Sequence, residues 1–231
     1  MKVALLSDLH ANIHALNVVM DDLDKEGVEK IIVAGDVVGY YYWPRHVVEL
    51  IMADKRFSCV RGNHENILQQ VLVDDEAAQR YRCKYGAGYD FCRRELSKTQ
   101  MDWLLSLPDE VRLEINGIGF HVGHGALGNT DKYLYPDTPA KTLAENCSDL
   151  EYTVYGHTHY PFLYEKEGKY LLNPGSVGQP RDMGGMASYV IINTGNRTIR
   201  FKKKVFDKAL VISAAYENDP ELEYLATIMN R

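Results

Sequence analysis

No stretch of the 231 residues is apolar for long enough to cross a bilayer as a helix. Cysteine is scarce. Cys59, Cys83, Cys92 and Cys147 form no CxxC pair and no regular framework, which argues against a disulfide scaffold and reads as free thiols in a reducing, cytoplasmic setting. Positive charge is also short: 26 Lys and Arg stand against 32 Asp and Glu, a net charge of −6. That balance gives no strong nucleic-acid signal, since non-specific binding needs a basic surface. The one basic cluster, RFKKK at 200–204, reads as a solvated strand face. There is no repeat, no low-complexity tract and no Pro/Gly/Ser linker. The N-terminal MKVALLSDLH has only a brief apolar run before Asp8 and reads as a first strand, not a signal peptide.

What is present is patterned. KVALL (2–6), IIVAG (31–35) and FSCV (57–60) are short apolar runs that read as strands. Between them Ala15, Leu16, Val19, Met20 and Leu23 recur at helical spacing, and PRHVVELIMADK (44–55) opens with a proline suited to a first helical turn. Strand, helix, strand, helix, strand predicts a parallel sheet with crossover helices. Residues 65–107 are helical in pattern and end at Pro108. The remainder is β-rich, with turns expected at Asn116-Gly117, Glu167-Gly168 and Thr194-Gly195-Asn196. PELEYLATIMN (220–230) reads as a terminal helix. The length fits one large domain or two small ones.

Polar residues gather just after the apolar strands. Asp8 and His10 follow the first, Asp36 the second, and Asn63 and His64 the third. His124 lies in GFHVGHG, and His157 and His159 in VYGHTHY. Strand ends on one sheet edge converge, and ligands bind there in open α/β sheets. Asp, Asn and His are oxygen and nitrogen donors that together suit first-row divalent ions. Glycines 35, 62, 125 and 156 beside them permit close backbone approach. Each motif alone has a plain alternative: a helix cap at Ser7-Asp8 or Asn12, a turn at Gly35-Asp36 or Asn63, a core histidine at His124.

The ordered combination Asp8-Leu9-His10, Gly35-Asp36, Gly62-Asn63-His64-Glu65, His124-Gly125 and Gly156-His157-Thr158-His159 resembles the calcineurin-like metallophosphoesterases. Asn173-Pro174-Gly175-Ser176-Val177-Gly178 resembles a loop of the small bacterial and archaeal phosphodiesterase branch, and the similarity spans about residues 1–195. Ala11 departs from it, where that branch usually carries glycine. The resemblance implies an α/β, four-layer αββα sandwich of two mixed sheets flanked by helices. It implies one domain over 1–231, with 65–107 as a cap-like segment. It also implies two divalent cations drawn from Mn, Fe, Zn, Ni and Co. Asp8, His10, Asp36 and His159 would hold one; Asp36, Asn63, His124 and His157 would hold the other. A metal-bridging hydroxide would then attack a phosphodiester or phosphomonoester of a small phosphorylated compound. His64 is expected either to protonate the leaving oxygen or to orient a ligand. Tyr40, in Tyr40-Tyr41-Tyr42-Trp43, either walls the substrate pocket or packs within its loop, and Arg181 either reaches a phosphate oxygen or forms a surface ion pair. His14, His46 and His121 read as structural or exposed. The alternative to an enzyme is a scaffold of the same fold, like the retromer subunit, with degraded metal chemistry. No membrane association is expected, and the oligomeric state is left open.

Overall fold

The computed structural model describes residues 1–231. The first strand, β1 (Lys2–Leu6), shows how the layers arise. Its side chains alternate between faces: Val3 and Leu5 enter a core between the two sheets, while Ala4 and Leu6 enter a core under helices. A strand buried on both faces carries no polar residue in its interior, as KVALL does not.

The chain then runs through α1 (Ile13–Glu26), β2 (Lys30–Ala34), α2 (Pro44–Ala53) and β3 (Phe57–Val60). Asn12 caps α1 by accepting from Ala15 N at 3.1 Å, and Ala15, Leu16, Val19, Met20 and Leu23 form its buried stripe. Strands β1, β2 and β3 pair in parallel. Four helices follow: α3 (Asn63–Val73), α4 (Asp75–Tyr85), α5 (Gly88–Glu95) and α6 (Lys98–Leu105).

The β-rich part holds β4 (Val111–Ile115), β5 (Ile118–Val122), α7 (Ala140–Glu145), β6 (Tyr152–Val154), β7 (Phe162–Lys166), β8 (Lys169–Asn173), β9 (Met186–Asn193) and β10 (Thr198–Val205), before α8 (Lys208–Asn218) and α9 (Tyr224–Thr227). Asn116-Gly117 and Glu167-Gly168 turn β4 into β5 and β7 into β8, with positive φ at both residues of each pair, the turn that suits strand twist.

Two mixed five-stranded sheets result, in the orders β10-β9-β1-β2-β3 and β4-β5-β6-β8-β7. Between them Val3, Leu5, Ile32 and Val60 meet Phe120, Val122, Val154 and Leu172. Helices cover the outer face of the first sheet. The outer layer on the second is thinner: α7 and the segment before it bring Leu143, Leu134 and Ala126 onto Tyr155 and Leu171. The fold is the αββα sandwich that the motifs imply.

Three segments depart from the sequence reading. The terminal helix shrinks to the single turn of α9 and a tight turn at Ile228–Asn230. Asp219 is held by Tyr42 and by the Ala87 backbone, and Leu225, Ile228 and Met229 sink into the core, so the tail folds back instead of continuing. Helix α8 has no counterpart in the sequence reading, because KALVISAAYEN is apolar on nearly every face and lacks the one-sided stripe that marks a helix. Lastly, RFKKK is not simply solvated. Arg200, Lys202 and Lys204 alternate onto one face and pair with Glu26 and Asp22 of α1, while Lys203 pairs with Asp182.

Candidate metal centre

The loops after β1, β2, β3, β5 and β6 meet at one edge of the sandwich. Asp8 N donates to Gly35 O (3.1 Å), Gly156 N to His124 O (2.8 Å) and His157 N to the Asp8 carboxylate (3.1 and 3.2 Å). The 173–178 loop buttresses them. Ser176 Oγ and Gly178 N both donate to Asp8 O, at 2.7 and 2.9 Å, and Asn173 Nδ2 donates to Gly156 O at 2.5 Å. Two glycines are required by proximity. A Cβ on Gly62 would strike Asp36, and one on Gly156 would strike Ser7 and Asp8.

The backbone is held in an unusual state here. Asp8, His10, Ala11, Asp36, Tyr40, His157 and His159 all have φ between 48° and 67°. The left-handed region costs an L-residue about 1–2 kcal/mol, and such residues cluster where geometry serves chemistry. Ala11, with φ 54°, shows why glycine suits that position.

All seven donors come together and are buried. Asp8, His10 and His159 offer ligand atoms within 4.8 Å of one another, as do Asp36, His124 and His157. Asn63 Oδ1 is 2.9 Å from His124 Nε2. Asp36 lies between the groups, with Oδ2 at 3.2 Å from His124 Nε2 and 3.8 Å from His10 Nε2. A third group of the same compactness joins His10, Asp36 and His64.

Ring orientation tests whether cations fit. His10, His124 and His159 each turn Nδ1 to a backbone carbonyl, of Val38 (3.3 Å), Ala34 (2.8 Å) and Gln179 (2.7 Å). A carbonyl only accepts, so Nδ1 carries a proton, and in the neutral ring Nε2 presents its lone pair to the centre. His10 Nε2 and His159 Nε2 then face each other at 3.1 Å, an arrangement that a shared proton or a metal ion satisfies. His157 Nε2 is buried with no partner at all. An oxygen and nitrogen set of this kind suits first-row divalent ions.

Burial and neighbouring charges set the electrostatics of the cluster. Burial opposes ionisation of Asp8 and Asp36, but neighbouring imidazoles, His159 for the first and His124 for the second, hold both carboxyls far below their usual range. Burial pushes His10 well down and His64 and His157 to about 4. Burial also opposes charge on His124, yet Asp36 lifts it to about 10.

A cavity of about 20 Å³ is lined by Asp36, Asn63, His64, His157, His159 and by Tyr40, Tyr85, Tyr133 and Arg181. Tyr40 packs its ring on His10 and His64, at 4.7 Å from each. Tyr41 and Tyr42 beside it are core residues. Arg181 donates to Tyr40 Oη (3.3 Å) and Gln179 Oε1 (3.4 Å), and its Nε is buried without a partner. His14 packs on Trp43, His46 is exposed and His121 pairs with Glu110 at 2.9 Å, all away from the centre.

Three tyrosines reach the site without a signal in the motifs, and a fourth residue, Glu65, lies in a motif that assigns it no role. Glu65 is fully buried and accepts from the backbone N–H of Asp36, Val38 and Gly62, tying the second loop to the third. Tyr85 and Tyr89 arrive from α4 and α5, and Tyr133 stacks on His157 at 4.0 Å. The Gly62-Asn63-His64-Glu65 string includes Glu65. The tyrosines stand among 16 in the chain, and nothing local sets them apart.

Known proteins match this arrangement. The model of the calcineurin-like phosphoesterase superfamily domain matches residues 1–197. An uncharacterised protein of Methanocaldococcus jannaschii is 34% identical over 93% of this chain and 90% of its own. The phosphodiesterase YfcE of Escherichia coli is 25% identical over 84% of this chain and 88% of its own. A metallophosphoesterase crystal structure from Sphaerobacter thermophilus superposes with a TM-score of 0.81 at 28% identity, covering 100% of this chain and 99% of the other. With the model matching from the first strand to the hairpin of β9 and β10, the chain belongs to the calcineurin-like phosphoesterase superfamily.

Proposed function

We propose that this chain is a metal-dependent hydrolase of phosphate esters, formed as one domain over 1–231 with the 65–107 helices capping one side of the centre. The observation that carries the reading is the convergence of seven buried oxygen and nitrogen donors, three of whose rings are held by Nδ1 with Nε2 facing one space. Asp8, His10, Asp36 and His159 would hold one divalent ion, and Asp36, Asn63, His124 and His157 the other, with Asp36 shared. When bound, such ions supply Lewis acidity toward phosphoryl oxygens and lower the pKa of water.

The chain's own residues supply the rest. Only Asp8 and Asp36 bring negative charge, and Asn63 binds through a neutral oxygen, so a centre with two dications keeps a net positive charge for a phosphate. Arg181 extends that field. No carboxylate lies within ion-pair distance of it and its buried Nε lacks a partner, which favours a phosphate oxygen over a surface ion pair. Tyr40 braces Arg181 and His10 and leaves no exposed face for a base. His64 lines the cavity beside Asp36 and His159, which supports it as the group that protonates the leaving oxygen. Burial pushes its ring pKa down to about 4, and an incoming phosphate anion favours the protonated form.

The space among these side chains holds little more than a water molecule, so a phosphate ester needs lining side chains such as Tyr85 or Tyr133 to give way. Tyr133 is half exposed, with its ring stacked on His157. The tyrosine rim is therefore where substrate range is set. The paired RFKKK face offers no free basic surface for nucleic acid, the four unpaired cysteines suit a reducing cytoplasm, and no helix is long and apolar enough to cross a membrane.

The test is metal content of the purified protein together with hydrolysis of bis-p-nitrophenyl phosphate and p-nitrophenyl phosphate in added Mn²⁺. Near two ions per chain with turnover of either ester is expected. Negligible metal and no turnover of both would refute the proposal and leave a scaffold.

A further inference from the structure

His64 poses a problem that distances alone do not resolve. One of its ring nitrogens lies as close to His10 and Asp36 as the ligand candidates lie to each other, so its position suits a ligand as well as an acid. What differs is the group behind the ring. Tyr89 Oη sits 2.6 Å from His64 Nδ1, with both residues buried and their rings stacked at 5.9 Å. Gly39 packs so tightly on the same nitrogen that a Cβ there would collide with it.

A phenol donates far better than it accepts. Burial first, and the charge of Asp36 second, hold Tyr89 protonated, and His64 Nδ1 is its hydrogen-bond partner. We infer that Tyr89 is a positioning residue. By donating to Nδ1 of the neutral ring it keeps the ring proton on Nε2, facing the centre, and bars that nitrogen from binding a metal ion; when the ring takes up a second proton at Nδ1, the same hydroxyl turns to accept it, and the imidazolium can pass its Nε2 proton to the leaving oxygen and return to neutral. This rests on the phosphoesterase reading above. The same rule sorts four of the five histidines at the centre. A carbonyl behind His10, His124 and His159 leaves Nε2 of the neutral ring free to bind a metal ion, whereas a hydroxyl behind His64 leaves Nε2 an N–H.

The tautomer is read directly by long-range ¹H–¹⁵N NMR of the full chain, metal-free and again with Zn²⁺, with the His64 signals assigned by their loss in His64→Gln. An Nε2–H ring with unprotonated Nδ1 is expected in both states, and Tyr89→Phe, which removes one oxygen, should scramble that preference. An Nδ1–H ring in the native protein overturns the inference. Kinetics give the second readout. Tyr89→Phe should keep its metal content and its kcat on p-nitrophenyl esters, whose leaving group needs no proton, yet lose about 10–100-fold in kcat on alkyl esters. Equal losses on both ester types, or none on alkyl esters, contradict it. If the native protein hydrolyses no ester at all, the phosphoesterase reading fails, while the tautomer still decides what Tyr89 does.

Discussion

In the metal-free protein a proton should stand on His124 Nε2, the atom proposed here to bind a metal ion. His124 donates from Nδ1 to Ala34 O, and its Nε2 faces two oxygens, Asp36 Oδ2 at 3.2 Å and Asn63 Oδ1 at 2.9 Å. A ring with acceptors on both nitrogens is an imidazolium. Burial alone would push its pKa down, but the Asp36 carboxylate outweighs that and lifts it to about 10. At pH 7 the proton is therefore bound about three pH units below its release point. Displacing it costs a cation about 4 kcal/mol, or roughly 10³-fold in affinity. Metal affinity at this position should rise about tenfold for each pH unit from 7 to 9, with at least one proton released on binding. The stability of the metal-free protein runs the other way. The folded value lies above the unfolded one near 6.5, so the contribution is complete below pH 6.5 and disappears as pH rises through about 10. The assay is NMR titration of the His124 ring in metal-free protein, paired with calorimetry of Zn²⁺ binding in two buffers of different ionisation enthalpy. A His124 ring that is already neutral at pH 7, with affinity flat between pH 7 and 9, would falsify this account.

Three further outcomes are expected. Asp36→Asn removes the carboxylate between the two donor groups and the counter-ion of His124, so fewer than two ions should survive dialysis; two ions held at native affinity contradict the shared role. His64→Ala should slow turnover by about 10²–10⁴-fold on esters with poor leaving groups while metal content stays intact, and unchanged turnover there removes His64 from proton transfer. Arg181→Gln should raise KM for phosphate esters by roughly 10–100-fold, since a hydrogen bond to a charged group contributes about 1.5–3 kcal/mol; an unchanged KM returns Arg181 to a packing role.

How far the sequence could carry these conclusions depends on the range of the interaction involved. The strands, the crossover helices and the five strand-end motifs are local patterns, and apolar runs followed by Asp, Asn or His locate them without a structure. The pair His157 and His159 illustrates both the reach and its end. One intervening residue is enough to expect two projections from one turn, and the structure sets His157 beside His124 and Asp36, and His159 beside Asp8 and His10. The means is not in the string. Both residues adopt left-handed backbone, with φ 67° and 63°, and that conformation is imposed by the Asp8 carboxylate, Asn173 and the 173–178 loop from distant parts of the chain. The same holds for function. A histidine reads as ligand or acid only through the atom behind it, and Val38 O, Gln179 O and Tyr89 Oη are brought there by tertiary packing across 28, 20 and 25 positions of sequence. Residue type specifies which nitrogen donors a centre can have; the fold decides which of them point a lone pair at it.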